Sequence, residues 1–245
     1  MAKKAREVTL ARHETLSPNL TRMTLAGDAL SDFPDGFEGG YIKLSVPDGS
    51  GQALRSYTIR SFDPAALSLD IDMVSHGDGG PAARWANRAQ VGERLTIMGP
   101  GPVRRLDAAA DWFIAAGDMS ALPGISVNLA ALPDDAAGYA VIEVISPEDR
   151  IEIERPPGIE LSWVVHADPL QPSGHLEAAV KNIPWRPGEV SVWVAGEYGA
   201  ARALRQYFRH ERDVPREATY VSCYWKAGDT DEGMKAAKRA DPEGW

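Results

Sequence analysis

A short segment of the chain combines a cation, an aromatic ring and hydroxyl groups at the spacing of a β-strand. The segment reads Arg55-Ser-Tyr-Thr-Ile-Arg60, and strand alternation places Arg55 and Tyr57 on one face, with Ser56 and Thr58 on the other. A guanidinium pairs with phosphate oxygens and a tyrosine ring stacks on planar rings, so this face suits an aromatic cofactor that carries phosphates. Arg and Tyr are also common cross-strand neighbours without a ligand, so the spacing alone leaves both interpretations open.

A glycine-rich turn follows further along the chain, in His76-Gly-Asp-Gly-Gly-Pro-Ala-Ala-Arg-Trp85. Glycines let the backbone approach a ligand, and Pro81 favours the first position of a helix, whose N-terminal N–H groups attract anions. A plain loop before a helix is the alternative interpretation. Taken together, one motif suits a ring and the other a pyrophosphate, so the pair favours a dinucleotide.

The first part of the chain has the strand pattern of a small antiparallel barrel. Its segments alternate polar and apolar residues or are rich in β-branched residues, and turn-forming clusters separate them. A short helix is predicted over Gly80 to Arg88. The predicted strands are Val8 to Arg12, Leu20 to Leu25, Tyr41 to Val46, Arg55 to Arg60, Leu67 to Val74 and Arg94 to Met98.

After Asp111 the pattern changes to apolar runs typical of parallel strands, alternating with helical stretches. This rhythm predicts an α/β domain. We place the boundary near residues 105 to 111, which gives domains over residues 1–107 and 108–245. Ligands favour domain interfaces and the carboxyl ends of parallel strands, so we expect a cofactor across the junction. The tail from Ala227 to Trp245 is charged and is predicted to be a solvated helix or partly disordered.

Composition restricts the classes of function. The 245 residues carry 26 Lys and Arg against 35 Asp and Glu, a net charge of −9, which argues against a general nucleic-acid binder. The single cysteine, Cys223, excludes an intramolecular disulfide and cysteine-clustered zinc or iron–sulfur sites. No window is long and apolar enough to span a bilayer, and the first residues lack a signal-peptide pattern. We therefore expect a cytoplasmic protein.

Five motifs in order resemble the siderophore-interacting protein family of FAD-containing ferric-siderophore reductases, over roughly residues 8 to 228. The resemblance implies a ferredoxin-reductase-like fold, with an N-terminal antiparallel FAD-binding barrel and a C-terminal parallel-sheet domain of nucleotide-binding type. The motifs are Arg55-Ser-Tyr-Thr, Gly80-Pro-Ala-Ala-Arg-Trp-Ala, Ala116-Gly-Asp-Met-Ser-Ala-Leu-Pro-Gly124, Val194-Ala-Gly-Glu-Tyr-Gly-Ala-Ala-Arg-Ala-Leu-Arg205 and Tyr224-Trp-Lys-Ala-Gly.

The resemblance implies a position for each contact with FAD. Arg55 would meet the phosphates, Tyr57 would stack on the isoalloxazine ring, and Thr58 would lie near flavin N5. Residues 72 to 74 would flank the ring or the ribityl chain, residues 79 to 82 would cradle the pyrophosphate, and the turn after Ala116 would lie near the adenosine half. The implied set is Arg55, Ser56, Tyr57, Thr58, Asp72, Met73, Val74, Gly79, Gly80, Pro81, Ala82, Asp118, Ser120 and Ala121.

Two departures from the family pattern bear on the affinity for FAD. Family members usually read Gly-Asp-Glu-Thr-Ala-Leu-Pro where this chain has Met119 and Ser120, and they usually carry Ser or Thr near Ala83. A lost carboxylate or hydroxyl at these points would loosen the cofactor.

The expected substrate is a ferric siderophore, which is bulky and often strongly anionic. A protein of charge −9 needs several cations converging in one cleft to hold such a chelate. The candidates are Lys43, Lys226 and Arg104, with Arg105 as an alternative to Arg104. Lys43 and Lys226 occupy positions where the family carries basic residues. Surface Lys and Arg are also commonly just solvated.

The implied chemistry is electron transfer, because hard oxygen donors hold Fe(III) more firmly than Fe(II). The flavin performs it, so we assign no catalytic side chain and no metal site to the protein. The resemblance suggests NADPH or NADH as the electron donor, near Glu197 and Arg202 or Arg205, with a ferredoxin as another possible donor and partner. Helix capping and surface charge explain the same residues.

The leading hypothesis is a cytoplasmic FAD-dependent ferric-siderophore reductase. A general NAD(P)H:acceptor flavoreductase of the same architecture is the enzymatic alternative. A siderophore-binding accessory protein that has lost effective flavin binding is the non-enzymatic alternative, and Met119 and Ala83 motivate it.

Overall fold

The computed structural model describes residues 4–75 and 80–245. The chain forms two compact units, residues 1–104 and residues 105–245. Among the described residues, no helix has the length and apolar character needed to cross a bilayer. The functional limits expected from the sequence, 1–107 and 108–245, stay a prediction.

The first unit is a barrel-like antiparallel sheet in the order β4-β3-β7-β1-β2-β6-β5. One face of every strand contributes to a single apolar core, β5 through the partly buried Phe62, and helix α1 (Pro81–Ala86) adds Ala82, Trp85 and Ala86 to it. The strands are β1 (Ala5–Ser17), β2 (Leu20–Ala26), β3 (Tyr41–Asp48), β4 (Gly51–Thr58), β5 (Ser61–Asp63), β6 (Ser68–Val74) and β7 (Arg94–Met98).

Three strands differ most from the prediction. β1 runs over Ala5–Ser17, which extends beyond both ends of the predicted Val8 to Arg12. β4 begins at Gly51 rather than Arg55, because the cluster Pro47-Asp-Gly-Ser-Gly51 closes a hairpin in which Pro47 pairs with Gln52. Pro47 is tolerated because β3 pairs with its other neighbour, β7, only from Lys43 to Ser45. The three-residue strand β5 was not predicted, since its length is too short for a periodic signal.

The second unit is a five-stranded parallel sheet in the order β10-β9-β8-β11-β12. The central strand β8 is buried at every position, as expected for a sheet with helices on both faces. The strand order reverses between β8 and β11. The elements are β8 (Trp112–Gly117), α2 (Leu122–Ala130), β9 (Ala137–Val144), β10 (Gly158–Val165), α3 (His175–Lys181), β11 (Val190–Glu197), α4 (Tyr198–Gln206), β12 (Thr219–Trp225) and α5 (Asp231–Ala240).

The charged C-terminal segment forms helix α5 and is anchored by a buried arginine. Arg205 Nη2 donates to Asp241 at 2.7 Å, and both side chains are 1% exposed. Arg205 Nη1 also donates to the Gly244 carbonyl at 2.8 Å, and its guanidinium stacks 4.4 Å from the Trp245 ring centre. The segment is therefore ordered by one arginine of α4, which the sequence did not reveal.

Asp241 is ionised in this site although burial opposes its charge. Burial raises its pKa, but the hydrogen bonds from Arg205 and from the Glu243 N–H outweigh that effect, so the pKa lies below its ordinary value. A carboxyl with a depressed pKa in the folded state contributes stability above the unfolded-state pKa, and that stability is lost as pH falls through the folded-state pKa.

We predict that Asp241→Asn lowers the free energy of unfolding by ~2 kcal/mol at pH 7, because the buried Arg205 loses its shorter ion pair and keeps only Glu243, 3.3 Å from its Nε. The difference from the unmodified protein should shrink as pH falls below about 4, because the carboxyl of Asp241 takes up its proton there in the unfolded state and at lower pH in the folded state. Urea unfolding followed by circular dichroism at several pH values measures both. The exposed Asp135→Asn is the control, and an equal loss at pH 3 and pH 7 would contradict the assignment.

Candidate cofactor and chelate site

The strand that carries Arg55 and Tyr57 is the terminal strand of the first unit's sheet. Tyr57 pairs with Ile42 and Arg55 with Leu44 on β3. Because Ile42 and Leu44 are fully buried, Arg55 and Tyr57 lie on the inner face of the sheet at its margin. The other edge of β4 has no strand partner in the described part of the chain.

Arg55 and Tyr57 have the environment of a ligand-facing pair. The Tyr57 ring packs against the core while staying partly exposed, and burial raises the pKa of its phenol despite the charge of Arg55, so it is neutral. Arg55 Nη1 donates to the Leu54 carbonyl at 3.0 Å, and no carboxylate pairs with it among residues 4–75 and 80–245. A cation without a counter-charge therefore lies on the same face as an accessible ring.

The opposite face of β4 carries the remaining residues of the motif. Ser56 is exposed and stands directly across from Lys43, whereas Thr58 is buried and stands across from Tyr41. The Tyr41 ring is held against Gly101, where a Cβ atom would come within 2.3 Å of it. Lys43 is half-buried and pairs with no carboxylate in the described ranges. The sheet thus places Lys43, which is predicted to bind the ferric chelate, beside Ser56 and Thr58, which are predicted to contact the flavin.

The segment from Asp72 to Val74 is partly occupied by the unit's own contacts. Arg22 makes a two-pronged ion pair with Asp72 at 2.7 and 2.8 Å, and this bond is the main cause of the raised pKa of Arg22. Met73 is fully buried in the core. Only Val74 and backbone groups of this segment therefore remain for a flavin to contact.

The turn predicted to hold a pyrophosphate leads into helix α1. Gly80 occupies the position before the helix and Pro81 begins it, with no side-chain cap and no acidic residue in the first turn. Ala82 is buried in the core, so only its backbone could meet a ligand. Gly79 lies outside the described residues. First-turn N–H groups lack partners within a helix, and the first turn of α1 contains no acidic residue, so it fits a phosphate-bearing cofactor.

In the second unit, Asp118 joins the carboxyl ends of three strands. Its Oδ2 accepts from the Glu197 N–H at 2.7 Å and from Trp225 Nε1 at 2.8 Å, which are the last residues of β11 and β12. Its Oδ1 accepts from the N–H and hydroxyl of Ser120 at 2.8 and 2.5 Å. Gly196 allows this approach, because a Cβ there would lie 2.6 Å from the carboxylate.

The four donor atoms that reach Asp118 belong to Ser120, Glu197 and Trp225, and bonds of this kind favour its ionised form. Burial raises the pKa of Asp118, and the bonds from Ser120, Trp225 and Glu197 act against that shift. Ala121 is fully buried at the start of α2, as is Met119 close by. The side chains of Asp118 and Ser120 are thus engaged with each other, which leaves mainly backbone groups of this turn for an adenosine contact.

Glu197 caps helix α4 and also holds the loop that carries Lys226. Its Oε2 accepts from the N–H groups of Gly199 and Ala200, and its Oε1 accepts from the Ala227 N–H at 3.2 Å. The capping interpretation is therefore supported, and the start of α4 is already neutralised. Lys226 Nζ pairs with Asp229 at 2.6 Å, and that bond is the main cause of the raised pKa of Lys226.

Three further residues that the sequence analysis named are Arg104, Arg105 and Cys223. Arg104 is exposed at the end of the first unit, and Arg105 Nη1 donates to the Val127 carbonyl at 3.5 Å in the second. Cys223 is buried in β12, and burial raises the pKa of its thiol to about 12, so it packs rather than reacts.

The sequence analysis did not identify Glu143 and His166 as a pair. The only signal for them was that each is a polar residue at the end of an apolar strand.

Family models match both units of the chain. The model described as siderophore-interacting protein matches residues 110–228. The model described as siderophore-interacting FAD-binding domain matches residues 9–54 and 45–104.

Whole-chain relatives agree with these matches. Ferric vibriobactin reductase ViuB of Vibrio cholerae is 36% identical over 93% of this chain and 91% of its own length. An uncharacterized protein of Mycobacterium tuberculosis is also 36% identical, over 95% of this chain and 93% of its own length.

Solved structures show the same fold. The siderophore-interacting protein SipS from Aeromonas hydrophila has a TM-score of 0.88 and 33% identity, with 97% of each chain covered. A ferredoxin reductase of a carbazole dioxygenase, at 16% identity, matches with a TM-score of 0.70 over 92% of this chain and 68% of that one. The predicted ferredoxin-reductase-like fold is therefore confirmed. On sequence identity over nearly its full length and on both domain models, the chain belongs to the siderophore-interacting protein family.

Proposed function

We propose that this protein is a cytoplasmic FAD-dependent reductase of ferric siderophores, which releases their iron as Fe(II). The observation that carries the proposal is the β3–β4 hairpin, where Arg55 and Tyr57 form a cation and ring surface and Lys43 lies across from Ser56. The similarity to ferric vibriobactin reductase supports the reaction class.

Bound FAD supplies the ability to pass electrons singly to a metal. Arg55 would pair with its phosphates, because no carboxylate competes for the guanidinium in the described ranges. Tyr57 would stack on the ring, and the hydroxyl of Thr58 would lie at its edge. The backbone N–H groups of Gly80 and Ala82 would face the pyrophosphate, and Pro81, which has no N–H, would begin the helix between them. Asp118, Ser120 and Ala121 stay proposed adenosine contacts, through their backbone.

Three basic residues are proposed to bind the ferric chelate, namely Lys43, Lys226 and Arg104. A ferric siderophore brings hard, often anionic oxygen donors, and a protein of charge −9 repels it except where cations are concentrated. Lys226 is oriented by Asp229 and by the loop that Glu197 holds at Ala227. Asp229 also weakens the net charge that Lys226 offers, so we expect its contribution to be moderate.

The overall reaction balances without a protein acid, base or metal ligand. One nicotinamide nucleotide supplies two electrons and releases one proton, and two ferric chelates each take up one electron to become ferrous. Hard oxygen donors hold Fe(II) less firmly, so the metal dissociates while the chelator stays intact. Two reduced ferredoxins would supply the same two electrons.

We predict that the purified protein absorbs in the visible bands of an oxidised flavin, and that anaerobic reduction bleaches them. Addition of a ferric siderophore should then restore the absorbance and produce ferrous iron, measured with a ferrous-specific chelator. Rapid reduction of quinones or free flavin with no electron transfer to any ferric chelate would instead indicate a general flavoreductase. A colourless protein that does not bind added FAD would indicate an accessory protein.

A pair of substitutions separates the two halves of the site. Lys226→Ala should raise KM for a highly charged ferric chelate about fivefold with unchanged flavin content, since it removes one partly exposed charge. Arg55→Ala should lower flavin content and leave chelate binding by the flavin-loaded fraction unchanged.

The control for Lys226 is Lys235→Ala, which removes another lysine that is paired with an aspartate in the same C-terminal segment. Absorbance per polypeptide reports flavin content, and quenching of flavin or tryptophan emission reports chelate binding. Equal losses of flavin in Lys226→Ala and Arg55→Ala would contradict the division of roles.

A further inference from the structure

A carboxylate and an imidazole meet at the carboxyl ends of β9 and β10. His166 Nδ1 lies 3.2 Å from Glu143 Oε1, and both side chains are largely buried, at 12% and 15% exposed. The backbone N–H of His166 also donates to the Val144 carbonyl at 2.8 Å, which fixes the histidine beside the end of β9. None of the contacts proposed for FAD or the chelate uses this pair.

The pair holds one oxygen of Glu143 and leaves the other available. A carboxylate accepts on both oxygens, and in the described part of the chain no donor reaches Oε2. Burial raises the pKa of Glu143, and the bond to His166 opposes that shift. His166 therefore acts as a positioning residue that fixes a hydrogen-bond acceptor at the edge of the sheet.

This edge is where an open parallel sheet binds nucleotides. The strand order reverses between β8 and β11, and ligands of such sheets lie outside the carboxyl ends of the strands near that reversal. Glu143 stands near the end of the strand that follows β8 and α2. In dinucleotide-binding sheets, an acidic residue in this place accepts hydrogen bonds from the adenosine ribose hydroxyls.

The surrounding charge opposes a phosphate at the same place. The charged groups that act on Glu143 are His166, Asp118 and Glu177. The sequence has no Lys or Arg from Leu106 to Asp149, nor from Pro156 to Val180, so β8, β9 and β10 carry none. Arg155 bonds to the carbonyls of Ile153 and Ile159, beside the start of β10 at the opposite edge of the sheet.

We propose that Glu143 makes this protein select NADH over NADPH, by accepting hydrogen bonds from the adenosine ribose hydroxyls of NADH and repelling the 2′-phosphate of NADPH. The proposal rests on the proposed function for its redox role, and it names the donor of that reaction. The adenosine ribose of the nucleotide would lie at the end of β9, beside Glu143.

The first test compares two nucleotide fragments on the unmodified, flavin-loaded protein. Calorimetry should show ADP-ribose binding about tenfold more tightly than 2′-phospho-ADP-ribose, the effect of one hydrogen bond to a charged group. The kcat/KM ratio of NADH to NADPH in ferric-chelate reduction should favour NADH by a similar factor. Both measurements use the unmodified protein, so misfolding of a variant cannot affect them.

The second test removes the charge of Glu143 while keeping its shape. Glu143→Gln should raise KM for NADH about tenfold, leave kcat unchanged, and bring the NADH to NADPH ratio close to one. The matched control is Glu160→Gln, the same change near the start of β10 at the opposite edge of the sheet, which should leave the ratio unaltered. Arg150→Ala identifies any role of the exposed arginine that follows β9.

The proposal is overturned if the unmodified protein binds both fragments equally, prefers NADPH, or keeps its preference after Glu143→Gln. Loss of NADPH use in Arg150→Ala would assign the phosphate to that residue and would also overturn it. Binding of neither nucleotide overturns it as well. In that case chemical reduction of the flavin, followed by a ferric chelate, still tests the proposed function separately.

Discussion

One carboxylate organises the site of the second unit. Asp118 accepts four hydrogen bonds, and through them the ends of β8, β11 and β12 are tied together although they are far apart in the sequence. A buried carboxylate is costly unless it is fully satisfied, so the backbone of Glu197 and the indole of Trp225 are held in place by the same bonds that stabilise the charge. The loop bearing Lys226 follows from that arrangement, because Glu197 holds it at Ala227.

The two units divide the chemistry according to their architecture. The antiparallel sheet ends in β4, whose outer edge has no strand partner among residues 4–75 and 80–245, and Arg55 and Lys43 belong to opposite faces of that region. The parallel sheet instead concentrates polar groups at its carboxyl ends, where β8, β9 and β11 contribute Asp118, Glu143 and Glu197. An acidic edge of this kind suits hydroxyl-bearing ligands, whereas the cations that we propose for binding a ferric chelate are Lys43, Arg104 and Lys226.

Charge explains why a strongly acidic protein fits an anionic substrate. Most of its carboxylates are spread over the surface, whereas several basic residues are committed to internal pairs, such as Arg22 with Asp72 and Arg205 with Asp241. Lys43 has no such partner in the described ranges and Arg55 bonds only a carbonyl there. Lys226 differs from these two residues, because it is paired with Asp229.

The sequence by itself determined the features that depend on local spacing. Strand alternation placed Arg55 and Tyr57 on one face, Pro81 marked the start of a helix, and the apolar runs after Asp111 identified a parallel sheet. Local spacing fixes the direction of a side chain along its own strand, which is why these predictions agree with the structure.

Only the tertiary structure decided which distant groups meet. Asp72 faces Arg22 and Met73 fills the core because of the register between β2 and β6. Asp118 finds Glu197 and Trp225, and Glu143 finds His166, because parallel strands from separate parts of the chain end at one edge. Strand order and register arise from packing across the whole unit, and no local pattern of residues encodes them.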